Sequence, residues 1–205
     1  MVTLNLPVKE ILGVPSNLTV TEYLLEHDED TWVRKTDIAD SIDYSRQRIH
    51  DALGSGNNPG PLVAFGIAEI SDREAEMPRF KRKDSPPMEF LQNYEGYPLA
   101  DFFETSATEK LTMWIIESAT VDTSYSQAAL IREADISYSA FKNNIDRYID
   151  AAIIETTENG SRTEYQINEN NDVIPAIIQL NELLYQHYSE DQSETDVDNS
   201  DKAVV

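Results

Sequence analysis

The residues whose chemistry stands out in this chain are its few cations. Thr31–Lys83 carries 9 of the 16 Lys and Arg but only 8 of the 38 Asp and Glu, a local net charge of +1, while the rest of the chain nets −23. In a protein with formal charge −22, such a stretch is either a surface kept free of acid because it meets a polyanion, or a chance cluster with a few ion pairs. Other site chemistry is missing from the sequence. His27, His50 and His187 lie far apart and in no HxxxH or HExxH spacing, so a zinc site is not expected. Gly54-Ser-Gly-Asn-Asn-Pro-Gly60 has no Lys-Ser/Thr after it, lacks the third glycine of a GxGxxG and follows a helical pattern; it reads as a connector. There is no cysteine and no Gly-x-Ser-x-Gly elbow, and carboxylate pairs are too abundant for any one to stand out as tuned for acid–base work. No catalytic residue and no cofactor are expected.

The acidity has its own explanation. Acidic residues are spread through periodic, foldable segments and lysine is scarce, at 7 residues. This is the pattern of proteins from salt-accumulating halophiles, where molar salt screens charge within about 3 Å. A 40% hydrophobic content supports real cores, and the length suits two domains of roughly 90 residues each. No apolar run approaches the roughly 20 residues of a membrane span. The first 13 residues lack the basic start of a signal peptide and read as a short strand or arm. The expectation is a soluble, cytoplasmic protein.

Elements follow from periodicity. A helix is expected near Thr19–His27, a short helix over Thr36–Ile42, and a third over Arg46–Leu53, capped by Ser45 and burying Ile49, Ala52 and Leu53. Arg46, Gln47 and His50 then point largely outward, with Arg48 on the flank. Leu62–Ile67 reads as a strand and Arg79–Lys83 as its return. Ser85–Tyr94 is a further helix, and Gly96-Tyr-Pro98 marks a boundary. The order then repeats: a helix opened by the capping box Ser106-Ala-Thr-Glu109, a second through Ala134, a third over Tyr138–Ala151, and a hairpin turned at Asn159-Gly160. Ile42-Asp-Tyr-Ser45 and Ile136-Ser-Tyr-Ser139 stand at the entry to the third helix of each repeat. Asn171–Tyr188 forms a last helix with an apolar stripe, which either packs on the second repeat or dimerises. The acidic end is expected to be disordered. The division is residues 1–95, 96–189 and a tail, 190–205.

Helix, short helix, turn, helix and hairpin, twice over, resembles the winged-helix DNA-binding regulators of halophilic archaea, in the neighbourhood of MarR-, ArsR- and PadR-like proteins. The resemblance covers about Thr19–Lys83 and Thr108–Ile167 and rests on element order. It implies a mainly α fold with small β-hairpins: tandem winged helix–turn–helix units plus a C-terminal helix. It also implies a homodimer on double-stranded DNA, with no small-molecule effector identifiable. Arg46, Gln47, Arg48 and His50 would face the major groove, where Arg pairs with guanine and Gln with adenine. Arg79, Lys81, Arg82 and Lys83, with Arg73, would hold phosphates from the wing, and Arg34 and Lys35 would approach the backbone beside the second helix. In the second unit the corresponding Lys142, Asn143, Arg147 and Arg162 are interrupted by Asp146 and Asp150, which implies a structural or dimerising role. Two other functions fit the same resemblance: a protein-binding adaptor like the kleisin partners of chromosome-condensing complexes, and a plasmid or viral replication or partition factor.

Overall fold

Proline opens the first two helices, α1 (Pro7–Leu12) and α2 (Pro15–Leu25), at the position where a missing N–H has no intrahelical partner to lose. The computed structural model describes residues 7–72, 75, 77–119, 123–160 and 162–200, with side chains through residue 190. The expected N-terminal strand or arm is therefore helical from Pro7. Val8, Ile11, Val20 and Leu24 of these helices are buried.

A two-residue strand, β1 (Val33–Arg34), leads into α3 (Lys35–Ser41) and α4 (Arg46–Leu53). A minimal hairpin follows, β2 (Gly54–Ser55) against β3 (Asn58–Pro59). Residues expected as a strand over Leu62–Ile67 instead start as a short helix, α5 (Pro61–Ala64), with Leu62 and Val63 buried. The helix is seated by Pro61 and ended by Gly66 at φ 76°. The outgoing strand is therefore delayed to β4 (Ala68–Ile70), and its return is β5 (Arg79–Arg82); β5 also pairs with β1, giving an antiparallel sheet in the order β1-β5-β4. Helix α6 (Pro86–Asn93) follows, capped by Ser85.

The chain then repeats the order. After a 3₁₀ turn at Leu99–Phe102 come α7 (Ser106–Glu117), β6 (Ser124–Ser126), α8 (Gln127–Glu133), α9 (Tyr138–Asp150), β7 (Ile154–Asn159) and β8 (Arg162–Ile167). The sheet order is β6-β8-β7, again antiparallel. The cap of α7 falls one residue earlier than expected, on Thr105, whose partner is Thr108. The repeated letters are out of register: Ser45, last of its four, caps α4, whereas Ser137, second of its four, caps α9. The whole is an α+β fold, mainly helical with small antiparallel sheets.

The last helix, α10 (Val173–Ser200), corrects two expectations. Its backbone stays helical through Ser200, where a disordered tail was expected from residue 190; residues 201–205 lie outside the described residues. Once nucleated on a packed start, a helix extends at one hydrogen bond per residue fixed. Second, the chain divides into Met1–Tyr94 with Gln179–Val205, and Glu95–Ile178. The C-terminal part of α10 thus belongs to the first unit, not the second. There the Val8 N–H donates to Asn181 Oδ1 (3.3 Å), Lys83 Nζ lies 2.9 Å from His187 Nε2, and Phe65 meets Tyr188 with ring centroids 5.5 Å apart. Among the described residues no helix is long and apolar enough to cross a membrane.

In the second unit Tyr148 is fully buried, and its hydroxyl donates to the Thr108 carbonyl (2.7 Å) beside Thr112 Oγ1 (2.8 Å). Burial raises this phenol well above its ordinary value. The unfolded chain ionises Tyr at about pH 10 while the folded one keeps its proton, so this stabilisation is complete below that pH and is lost above it. Tyr148→Phe is expected to lower stability by about 1 kcal/mol at neutral pH and to flatten the decline above about pH 10, as read by urea titrations across pH. In the first unit a methyl group on Gly66 would collide with the His187 ring at a positive φ. Gly66→Ala should cost more than about 1 kcal/mol, seen as a lower melting temperature.

Candidate nucleic-acid interface

Helix α4 forms because Ser45 Oγ accepts the Arg48 N–H (3.4 Å) and because Ile49, Ala52 and Leu53 line one buried face. That burial leaves Arg46, Gln47, Arg48 and His50 exposed together. The Gln47 amide is steadied by Asp51, donating to Oδ1 at 2.7 Å.

His50 is fixed from behind. Lys35 Nζ lies 2.9 Å from His50 Nδ1. An ammonium can only donate, so Nδ1 accepts and the ring proton sits on Nε2. The same ammonium donates to the Gly54 carbonyl and stands 5.1 Å from the Phe80 ring centroid. Partial burial lowers its pKa from the usual lysine value. Lys35, expected to approach the DNA backbone, is thus turned inward to join α3, the end of α4 and β5.

Most of the expected wing charges also have internal partners. Lys81 pairs with Glu69 (3.5 Å) and lies 5.1 Å from the Trp32 ring centroid; Arg82 pairs with Glu29 (3.7 Å) and is only 13% exposed; Lys83 is engaged by His187. All three thus have a partner in the free protein, and a charge already paired and partly buried has less to give a phosphate. Arg73 lies outside the described residues. Among the described residues of the first unit, four exposed arginine side chains have neither an acid nor a hydrogen-bond partner: Arg34, Arg46, Arg48 and Arg79. Two lie in the first turn of α4, and the other two are direct partners across the β1–β5 ladder.

In the second unit Arg147 donates to the Asp101 carbonyl and to Glu104 (2.8 Å). Both bonds tie α9 to the segment around Asp101 and Glu104. Lys110 pairs with Asp135 (2.6 Å), and Arg132 with Glu133 (3.0 Å). Lys142, Asn143 and Arg162 are exposed, but Asp146 and Asp150 are exposed on the same helix α9 as Lys142.

The sequence reading missed Trp32, Ser71 and the strand that sets Arg34 opposite Arg79. Val33-Arg34 is too short to show a period-two pattern; the one available signal is a β-branched residue followed by a charged one just before a helix. Among the described residues no three His, Asp or Glu gather as a metal ion would need. Comparison with protein-family models and with curated protein sequences gives no match.

Lys35→Ala is expected to lower the unfolding free energy by about 1–3 kcal/mol, because the Gly54 carbonyl and His50 lose their donor. Arg46→Ala should stay within about 0.5 kcal/mol of the parent. Urea denaturation of both variants checks the contrast.

Proposed function

We propose that the chain is a sequence-specific DNA-binding transcriptional regulator adapted to high salt, built of two winged-helix units of which the first reads DNA. The observation that carries this reading is the distribution of unpaired arginine. In a protein of net charge −22, Arg34, Arg46, Arg48 and Arg79 of the first unit stand exposed with no acid on them among the described residues, against Arg162 alone among the arginines of the second unit. A polyanion is the partner such a surface fits. The element order of the two units supports the winged-helix reading, with α4 as the helix that enters the major groove and Arg46, Gln47 and Arg48 against base edges. His50 Nε2–H adds a donor held in a fixed direction by Lys35. The second unit, whose Arg147 is consumed by its own fold, serves assembly. A two-fold dimer would set two copies of α4 on half-sites about 34 Å apart.

The deciding experiment is a band-shift selection on random duplex DNA in potassium chloride, comparing the parent with Arg46→Ala/Arg48→Ala. A selected sequence motif, with each arginine worth about 1–3 kcal/mol, is the expected result. Absence of duplex binding at every salt concentration, or equal binding by the double variant, overturns the reading and leaves a protein-binding adaptor.

A further inference from the structure

Strand β5 presents its outward residues in two rows, and the rows differ. Phe80 is buried with its ladder partner Val33, and its other partner Ile70 is half-buried. Its neighbours Arg79 and Lys81 therefore fall on the opposite face. In the Lys81 row the cation is fully compensated: Glu69 is its cross-strand partner and ion-pairs with it at 3.5 Å, and Trp32 supplies a ring. In the Arg79 row the cross-strand partner is Arg34. On the other side stands Ser71, whose N–H donates to the Arg79 carbonyl (2.9 Å) and whose Oγ accepts the Arg79 N–H (3.1 Å).

This second row is unfavourable in the free protein. Residues directly opposite in an antiparallel pair have Cβ atoms about 5 Å apart, and like charges placed there repel. Asp37, in the first turn of α3, accepts the Arg34 backbone N–H (2.9 Å), and among the described residues no ion pair holds the Arg34 guanidinium. The chain has 38 Asp and Glu, yet the cross-strand position that holds Glu in one row holds Arg in the next. Every other base of β5, and Lys83 after it, has a partner.

The geometry points to Arg34 and Arg79 as a clamp for a single phosphate, with the Ser71 hydroxyl as third donor. Side chains as long as arginine, starting from directly opposed positions on a ladder, can bring both guanidinium groups to the oxygens of one phosphate, and a bound dianion or phosphodiester converts their repulsion into two charge-assisted hydrogen-bonded contacts. Ser71 Oγ already accepts from Arg79, so its proton is left to donate outward. The inference rests on the DNA reading for the source of the phosphate and adds that the two arginines work as one contact.

Fluorescence anisotropy with the selected duplex, repeated across potassium chloride concentration, tests it on the parent, Arg34→Gln, Arg79→Gln, the double variant and Lys81→Gln. One shared phosphate means that the slope of log affinity against log salt falls by about 0.9 in the double variant, whereas two separate phosphates would remove about 1.8. The single variants should be non-additive, the second substitution costing less than the first. Lys81→Gln should leave the slope unchanged. If the parent binds duplex and the double variant loses about 1.8 or nothing, the clamp is overturned and the DNA reading stands. If the parent binds no duplex, the DNA reading fails, and potassium phosphate replacing chloride at constant ionic strength decides the clamp. A rise in melting temperature in the parent that disappears in the double variant supports a free-phosphate site, and no rise overturns it.

Discussion

The first unit depends on one partly buried ammonium. Lys35 opens α3, reaches His50 and the carbonyl of Gly54 at the two ends of the last turn of α4, and lies over Phe80 of β5. Three elements that share no long stretch of chain are joined at this group. Its desolvation carries a cost, visible in the depressed pKa, and the carbonyl, the imidazole and the ring face offset it. The joint also has a directional effect. Lys35 turns in, and Arg34, immediately before it on β1, turns out. The sheet that carries Arg34 and Arg79 and the helix that carries Arg46 and Arg48 are held in one arrangement by the same side chain.

Among the described residues the cations fall into two kinds. Lys81, Arg82, Lys83, Lys110, Arg132 and Arg147 each have a partner. The exposed ones, Lys110–Asp135 and Arg132–Glu133, contribute little to stability, and less still in concentrated salt. The five that meet a carboxylate subtract positive charge from the surface. What is left is a sparse pattern of unpaired arginine on an otherwise acidic protein, and sparse cations on such a background give a sharper preference for position and partner than a uniformly basic face would.

Most helices were legible because caps and burial spacing are local; α1, whose residues read as a strand or arm, was not. Ser45 with Ile49, Ala52 and Leu53 defines α4, Pro86 defines the start of α6, and Tyr138 through Asp150 carries the apolar spacing of α9. The hairpin β7–β8 was legible from Asn159-Gly160. Three further things were not. Strands β1 and β6 are only two and three residues long, and exist because β5 and β8 offer them a free edge. Leu62–Ile67 has the composition of a strand, but Pro61 before it and the left-handed Gly66 within it impose a helical turn. The candidate site was half legible: composition located the basic segment and helix spacing exposed Arg46, Gln47, Arg48 and His50. Which bases already have a partner is a tertiary fact. Arg82 meets Glu29 and Lys83 meets His187 across 53 and 104 residues of chain respectively, and no local pattern announces either.

The two connectors that follow α4 and β7 differ in the room they leave. At Gly54 and Gly60 the backbones of β2 and β3 approach so closely that an added Cβ would overlap main-chain atoms, at Gly60 within 2.5 Å of the Ala52 carbonyl oxygen. At Gly160 an added Cβ meets nothing within 4 Å, although φ is 66°. Length and side chain are therefore frozen in the first connector and free in the second, where Asn is the natural replacement for a left-handed glycine. A dye, an affinity tag or an inserted peptide has its place at the tip of the β7–β8 hairpin, and a deletion or insertion between Gly54 and Gly60 would pull α4 out of alignment with the sheet.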